Sequence, residues 1–394
     1  MQIERFYPVW GVCRQAAARL GLCCERLLFR FSGGRAPKAL FTLRADPQPV
    51  GTDVRILNET AVCTEIAKCG PDGQPTDAPF VIVSSTDFHF DTDAEKNYRT
   101  AAAFVRHIRE VKPDLVVLTG DVILSKYQQV DAIKFADMME TLGVYWTAVF
   151  GNHEVREVRG FYKWLLLKSF ADHPHCLCKY GPEELFGYGN YMINIRGAGG
   201  KLRKSLFFFD SGRDLLPELN AAYGLPPGTQ GYDCLKREQI EFYRTETAKL
   251  RAQEGDCRFF LYFHIPLKEY EAIFEPDGAG GWRPTGAGTL LCGEQHESVG
   301  SSPCNSGMFQ AMRECGGQAV FCGHDHINDW CALYDGIYLV YNLPGNYNSY
   351  HLGTNCGFPE EKWVQGVTVT ALQADGSIAI TQRYNRIFLE EAKK

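Results

Sequence analysis

Short apolar runs alternate with amphipathic segments between residues 78 and 152. The runs at 78–87, 114–121 and 144–152 are rich in β-branched residues and predict buried strands. Between them, apolar residues recur at helical spacing and predict helices at 93–111 and 130–142. Strands that alternate with helices need crossover connections, so this region predicts an α/β fold with a sheet covered by helices.

The second half of the chain repeats this alternation less regularly. Strands are predicted at 205–212, 257–266 and 318–326, helices at 234–252 and 306–315, and a Gly/Pro-rich loop at 276–288. Near the C-terminus, Asp375-Gly376 separates two apolar runs and predicts a β-hairpin.

Residues 1–75 differ in composition from the rest and lead into the turn-rich run 69–79. They form either an appendage or additional strands of the main domain, and the sequence leaves both open. We expect an accessory segment at 1–75 and one main domain at 76–394.

Composition and charge indicate which kinds of partner the protein is not expected to bind and where in the cell it is expected to lie. The net charge of −6 argues against a nucleic-acid or anionic-membrane partner. Charges interrupt the apolar runs of the first thirty residues, so we expect no secretory signal, and we expect no later segment to span a bilayer. The 15 Cys are scattered without a C-x-x-C pair, which favours free thiols in a reducing compartment. We therefore expect a cytoplasmic location.

Polar clusters follow the predicted strands. They are Asp87-x-His89, Gly120-Asp121, Gly151-Asn152-His153-Glu154, His264 and Gly323-His324-Asp325-His326, and they contain five of the chain's 10 His. Ligands of open α/β sheets bind beyond the carboxyl ends of the strands. Carboxylate oxygen and imidazole nitrogen together suit transition metals. Two such ions, about 3.5–4 Å apart, neutralise a phosphate ester and generate hydroxide near neutral pH. The clusters therefore predict a two-metal phosphoesterase site.

The order D-x-H, GD, GNHE, H, G-H-x-H resembles the signature of the calcineurin-like metallophosphoesterases and covers residues 87–326. The stretches PDLVVLTGDV, LFFFDSG, FHIPLKEY, NSGMF and GHDHIND resemble the purple-acid-phosphatase-like branch of that superfamily. The resemblance implies a four-layer αββα sandwich of two mixed β-sheets flanked by helices, with the metal site at the carboxyl rim of the strands.

The resemblance also implies a role for each residue. The first metal would be held by Asp87, His89, Asp121 and His326, and the second by Asp121, Asn152, His264 and His324, with Asp121 as the bridge. His153 would act as general acid to the leaving group or stabilise the transition state, and Asn152 would also contact substrate.

One position departs from the family pattern. Purple acid phosphatases have a tyrosine ligand three residues after the Gly-Asp aspartate, where this chain has Leu124. Tyr127 is offset from that position. We therefore expect no purple colour, and two ions that are Mn, Fe or Zn.

Several other polar residues near the clusters have two readings each. Asp325 either orients a ligand histidine or ties the turn, and Arg156 either binds substrate phosphate or forms a surface ion pair. The residues Glu294, Glu297 and Asn305 belong either to the pocket rim or to a solvated loop.

Three functions compete on this sequence. The first is a phosphomonoesterase or phosphodiesterase, the second a non-catalytic protein-binding scaffold of the same fold, and the third a metal-dependent nuclease. The complete ligand set favours the first over the second, and the acidic balance disfavours the third.

Overall fold

The computed structural model describes residues 49–125, 128–154 and 161–392. Its α-helices are α1 Ala94–Val111, α2 Gln128–Leu142, α3 Phe161–Ala171, α4 Arg237–Glu254, α5 Met308–Cys315, α6 Leu352–Cys356 and α7 Ile387–Ala392. Its strands are β1 Val54–Glu59, β2 Cys63–Lys68, β3 Phe80–Ser85, β4 Leu115–Thr119, β5 Trp146–Val149, β6 Tyr191–Arg196, β7 Leu202–Phe208, β8 Phe259–Tyr262, β9 Phe274–Pro276, β10 Trp282–Pro284, β11 Thr289–Cys292, β12 Gly317–Cys322, β13 Cys331–Tyr334, β14 Ile337–Tyr341, β15 Gly366–Leu372 and β16 Ile378–Tyr384.

Two mixed sheets form the framework. The five-stranded sheet has the order β16-β15-β3-β4-β5, in which β3, β4 and β5 are parallel, β15 is antiparallel to β3, and β16 is antiparallel to β15. The nine-stranded sheet has the order β1-β2-β6-β7-β8-β12-β14-β13-β11, with a parallel run from β7 to β14 through β8 and β12. Strands β9 and β10 form a separate pair.

Side chains alternate between two cores along the central strands of the large sheet. Leu206 and Phe208 of β7 pack in a core shared with the five-stranded sheet and with α1 and α2. Their neighbours Phe207 and Phe209 pack on the other face against Tyr243 of α4. Because successive strand residues point to opposite faces, this alternation places a core on each side of the large sheet. The predicted four-layer αββα sandwich of two mixed sheets flanked by helices is thus confirmed.

Local chemistry explains where α1 begins and ends. The Asp93 carboxylate accepts hydrogen bonds from the backbone N–H groups of Glu95 and Lys96, each at 3.1 Å. An aspartate in this position satisfies donors that the first turn leaves free. The helix ends at Val111, because the next residue, Lys112, has a φ of 51° and cannot continue a right-handed helix.

The element predictions succeed in the βα region, in the strands and helices of the second half, and at the C-terminal hairpin. Strands β15 and β16 pair around Asp375-Gly376 as predicted. The prediction of a loop at 276–288 is wrong in part, because β10 lies within it and pairs with β9. This short pair is exposed, so it has little of the hydrophobic alternation that identifies a half-buried strand.

The segment before residue 76 contributes strands to the large sheet. β1 pairs with β2, and β2 pairs in parallel with β6. The division of the chain at residue 75 stays a prediction, and residues 1–48 lie outside the described part.

Two further features bear on the expectations from composition. No helix in the described ranges combines the length and apolar character needed to cross a membrane. The twelve cysteines of the described residues are free thiols, and most are buried. The cytoplasmic location itself stays a prediction.

Candidate metal centre

The predicted site residues follow five strands of the two sheets. Asp87 and His89 follow β3, Asp121 follows β4, and Asn152 follows β5, all in the five-stranded sheet. His264 follows β8, and His324 and His326 follow β12, in the nine-stranded sheet. β3, β4 and β5 are parallel, as are β8 and β12, so within each sheet these residues leave from one edge. The two edges face each other, and the side chains meet between them.

The first group of donor atoms comes from Asp87, His89 and His326. The Nε2 atoms of the two histidines are 2.9 Å apart. Oδ1 of Asp87 is 3.4 Å from Nε2 of His89 and 3.2 Å from Nε2 of His326. All three residues are buried. Three donors therefore converge on one point.

The second group is centred on His264. Its Nε2 atom is 3.0 Å from Oδ1 of Asn152 and 3.2 Å from Nδ1 of His324. These residues are also buried. The group combines one amide oxygen with two imidazole nitrogens.

Asp121 lies between the two groups. Its Oδ2 atom is 3.7 Å from Nε2 of His89 and 3.3 Å from Nε2 of His264. Its other oxygen, Oδ1, accepts a hydrogen bond of 2.8 Å from the backbone N–H of His153. One carboxylate oxygen is therefore fixed, and the other faces both groups.

Several of these residues have a backbone conformation that is uncommon outside glycine. Asp87, His89, Asp121 and His324 have φ values of 51°, 47°, 51° and 79°. Such residues cost about 1–3 kcal/mol each and persist only where the surroundings enforce them. Their concentration at one rim agrees with a site in which the direction of each side chain matters.

Two glycines allow the loops after β4 and β5 to touch. Gly120 has a φ of 96°, and a Cβ at this position would lie 2.7 Å from the backbone nitrogen of Gly151. A Cβ on Gly151 would lie 2.1 Å from Oδ1 of Asp121. A side chain at Gly151 would displace Asp121, and one at Gly120 would push against Gly151 and His264, which explains the glycine in both motifs.

Backbone carbonyls orient two of the imidazoles. Nδ1–H of His264 donates to the Thr119 carbonyl at 2.7 Å, which leaves Nε2 to face the donors. Nδ1 of His326 is 3.3 Å from the carbonyl oxygen of Tyr350, and the Tyr350 ring stacks on the imidazole at 4.1 Å between centroids. The Tyr350 hydroxyl donates to Glu297 at 2.9 Å. Contacts of this kind fix the tautomer and direction of a metal-binding histidine.

Glu154 has a structural role that the sequence reasoning missed. Its buried carboxylate accepts hydrogen bonds from the backbone N–H groups of Asp121 at 2.9 Å, Ile123 at 3.1 Å and Gly151 at 2.7 Å, and also from that of Val122. It thereby joins the loops that carry Asp121 and Asn152. The signal was present, because a charged residue closes the GNHE motif, but its partners in the Asp121 loop are more than 30 positions away.

The two buried aspartates create a strongly negative environment. Burial alone would raise the pKa of Asp87 and Asp121, but the neighbouring histidine charges, with that of His264 acting on both, outweigh burial and hold both pKa values below the usual range. Burial would lower the pKa of the His264 imidazole, but the charges of Asp121 and Asp87 raise it to about 10. Burial and the charge of His264 lower the pKa of His324 to about 3. The carboxylates thus stay ionised and draw positive charge into the site.

The donors present fit a bound metal ion. Oδ1 of Asp87 is buried without a hydrogen-bond donor, whereas Oδ2 accepts from Thr86 and from the backbone of His324, each at 2.8 Å. The facing Nε2 atoms of His89 and His326 repel each other unless a proton or a cation lies between them. Ligands about 2.1 Å from one ion and at right angles lie about 3 Å apart, which is the spacing seen here. Carboxylate, amide and imidazole donors match Mn, Fe or Zn.

The other predicted residues lie around this centre. The side chain of His153 is 48% exposed, with Nε2 3.9 Å from Oδ2 of Asp121. Asp325 accepts from the backbone N–H of Gly300 at 3.1 Å and from the Tyr341 hydroxyl, so it ties the loop before α5. None of its hydrogen bonds in the described part of the chain goes to a histidine of the centre, and Gly300 and Tyr341 lie outside the turn 323–326, so these contacts support neither of its two predicted roles.

The structure describes the surroundings of some of the remaining candidate residues and not of others. Glu297 accepts hydrogen bonds from the hydroxyl of Tyr350, the residue that stacks on His326. The Glu294 side chain is exposed, and Asn305 donates to Glu269 at 2.9 Å. Arg156 and Tyr127 lie outside the described residues. Leu124 has no donor atom to offer a metal.

Comparison with known proteins places the chain in a family. Residues 80–328 match the family model described as calcineurin-like phosphoesterase. The chain is 30% identical to the probable inactive purple acid phosphatase 29 of Arabidopsis thaliana, over 69% of this chain and 73% of that protein. It is 28% identical to the probable inactive purple acid phosphatase 14 of the same plant, over 76% of this chain and 77% of that protein.

A fungal relative extends the comparison. The phosphatase DCR2 of Saccharomyces cerevisiae is 28% identical, over 61% of this chain and 42% of that protein. Residues 80–328, which match the family model, include all the motifs that supply the candidate metal centre. The chain belongs to the calcineurin-like phosphoesterase family, in its purple-acid-phosphatase-like branch.

Proposed function

We propose that this protein hydrolyses phosphate esters, mono- or diesters, at a centre of two transition-metal ions. The observation that carries the proposal is the position of Asp121. Its Oδ2 atom faces two separate groups of donors, at 3.7 Å from His89 and 3.3 Å from His264. One carboxylate oxygen shared by two donor groups is the arrangement that a two-metal site requires.

Each donor has an assigned place in this proposal. The first ion is held by Asp87, His89, Asp121 and His326, and the second by Asp121, Asn152, His264 and His324. When bound, the ions supply a hydroxide near neutral pH and neutralise the phosphate charge. The buried aspartates, ionised in the folded protein, supply the negative charge that retains the cations.

His153 is assigned the proton transfer to the leaving oxygen. Its backbone N–H is held by Oδ1 of Asp121, so the residue cannot move away from the centre. Its ring lies edge-on to His89 at 5.2 Å between centroids, and nearly half of its side chain is exposed. A bound ester therefore has access to this imidazole. The buried histidines instead point toward the other donor atoms of the centre.

The names of two Arabidopsis relatives favour a second candidate. Both are called probable inactive phosphatases, so a non-catalytic protein that uses the same rim to bind a partner is the alternative for this chain. The retained donor set supports catalysis, because a scaffold has no need to keep two buried carboxylates among five buried imidazole and amide groups. The phosphatase name of the yeast relative agrees with the first candidate.

A metal-controlled assay separates the two candidates. The protein is stripped with a chelator, reloaded separately with Mn²⁺, Fe²⁺ or Zn²⁺, and tested for release of phosphate or alcohol from a panel of mono- and diesters. Hydrolysis that depends on the added metal supports the proposal. Binding of two ions without turnover of any ester supports the scaffold, and failure to bind metal contradicts the proposed centre itself.

A further inference from the structure

Tyr232 lies at the edge of the candidate metal centre. Its ring meets the His324 imidazole edge-on, with 4.1 Å between centroids and an angle of 87°. The residue is nevertheless 37% exposed. It therefore contacts a proposed metal ligand on one side and solvent on the other.

The backbone around Tyr232 is held firmly. Tyr232 pairs with Asp214 across an antiparallel bridge. On either side of it, the N–H of Leu215 donates to the Gly231 carbonyl at 2.9 Å and the N–H of Asp233 donates to the Arg213 carbonyl at 3.0 Å. The backbone that carries the ring is thus fixed, and the ring itself contacts His324.

A second loop meets the Tyr232 loop beside the ring. A Cβ on Gly231 would lie 2.7 Å from Cδ of Pro303, so the two loops are in direct contact. The same second loop contains Gly300, where a Cβ would lie 2.6 Å from the His324 ring. Both loops therefore border the same side of His324, and Tyr232 is the aromatic group that they hold there.

Isolated exposed aromatic residues are common on protein surfaces and need no function. Tyr232 differs from them in two respects. It touches a residue of the centre, and its position is fixed by backbone hydrogen bonds on both strands of a bridge. A rigid aromatic ring beside a phosphate site offers a flat surface for stacking, at little entropic cost.

We propose that Tyr232 is a specificity-determining residue, on whose exposed ring an aromatic group of the substrate stacks, so that the site favours aryl phosphate esters over alkyl ones. The inference rests on the proposed function, since it assumes that a phosphate group occupies the centre. It assigns Tyr232 to binding and leaves the transfer of protons to His153.

The inference is tested by binding, with phosphonates that are not hydrolysed. Phenylphosphonate and cyclohexylphosphonate are titrated calorimetrically into the metal-loaded protein, because the two differ in aromaticity but little in size. We expect phenylphosphonate to bind about 2- to 12-fold more tightly, the range that an aromatic pair adds beyond buried area. Tyr232→Leu should abolish this preference, and Tyr232→Phe should keep it.

Tyr98→Leu is the control, because it removes an exposed tyrosine of α1 that takes no part in the centre. It should keep the preference, and all variants should hold the same metal content as the wild type. Equal affinity for the two phosphonates in the wild-type protein, or a preference that survives in Tyr232→Leu, overturns the inference but leaves the proposed function intact. If neither phosphonate binds a protein that hydrolyses esters in the metal-controlled assay, the inference fails alone, and if no ester is hydrolysed either, the proposed function fails with it.

Discussion

The two sheets contribute differently to the candidate metal centre. The five-stranded sheet supplies both carboxylates and the amide, from Asp87, Asp121 and Asn152, together with one imidazole, from His89. The nine-stranded sheet supplies imidazoles alone, from the loops after β8 and β12. The negative charge of the site thus comes from one sheet, and most of its nitrogen donors come from the other.

The two sets of side chains are also fixed by different contacts. The carboxylates are held by backbone N–H groups, as in the bonds from His153 to Asp121 and from His324 to Asp87. The imidazoles of His264 and His326 are instead held by carbonyl oxygens. Two of these contacts, His324 to Asp87 and His264 to Thr119, cross from one sheet to the other. Neither sheet therefore completes the donor set alone, and the site depends on how the sheets pack.

The largest effect is expected from the carboxylate that serves both groups. Asp121→Asn keeps the size of the side chain but removes the charge that faces both donor groups. The binding of both ions should therefore be weakened. We expect a loss of more than about 100-fold in metal affinity, since changes to partners outside the ligand set already cost 10- to 100-fold. Metal analysis after dialysis against a weak chelator measures this loss.

A ligand of the nine-stranded sheet provides the contrast. His324→Asn should lose the second ion and retain the first, because the His324 imidazole contacts His264, whereas it is the backbone N–H, which the substitution keeps, that donates to Asp87 of the first group. Asp256→Asn, an exposed carboxylate after α4, is the control and should hold two ions. Full metal occupancy in Asp121→Asn would show that Asp121 does not bridge the two groups.

The next effect concerns catalysis without a change in metal content. His153→Ala should lower turnover by ~10²–10⁴-fold, the usual contribution of a positioned acid, while two ions remain bound. The loss should be greater for alkyl phosphates than for aryl phosphates, because a good leaving group needs little protonation. His173→Ala, which removes a histidine paired with Asp137, serves as the control.

Two outcomes would change the assignment of His153. Equal losses on alkyl and aryl substrates would indicate electrostatic stabilisation instead of proton transfer. Loss of an ion from the variant would place His153 among the metal ligands, in spite of its exposed side chain.

A smaller effect is expected from Glu154, which acts through the loops of the five-stranded sheet. Glu154→Gln replaces one of two acceptor oxygens with an amide NH2 group, which would then face backbone N–H donors. Metal affinity should fall by ~10–100-fold, in the range of outer partners. Glu154→Asp is the companion variant, since it retains the charge on a shorter side chain and should lose less than Glu154→Gln. Unchanged affinity in Glu154→Gln would reduce Glu154 to a role in stability alone.

The sequence predicts those parts of the centre that depend on local pattern. Each donor follows a strand directly, so strand prediction and motif order place Asp87, Asp121 and Asn152 at the rim. Glu154 and Tyr350 escape this reasoning, because their roles depend on contacts with distant segments. Tyr350 is 24 positions from the imidazole on which it stacks, in a region without a periodic pattern. The weakly patterned pair β9 and β10 was missed for a related reason, since exposed strands lack a hydrophobic face.

The smallest expected effect is the absence of a colour. After loading with ferric iron, the protein should show no visible band from tyrosinate to iron, because Leu124 occupies the position of the tyrosine ligand in purple acid phosphatases. The tyrosines beside the centre do not replace it: the Tyr350 hydroxyl is held by Glu297, and burial and the charge of Asp325 raise the pKa of Tyr232. Burial and the charge of Glu297 also raise the pKa of Tyr350, which opposes formation of a tyrosinate. Leu124→Tyr tests the position directly. If this variant turns purple with iron while the wild type stays colourless, the five-stranded sheet keeps the geometry of a tyrosine site and lacks only the phenol side chain. A band in the wild-type protein would show that another tyrosine reaches the metal.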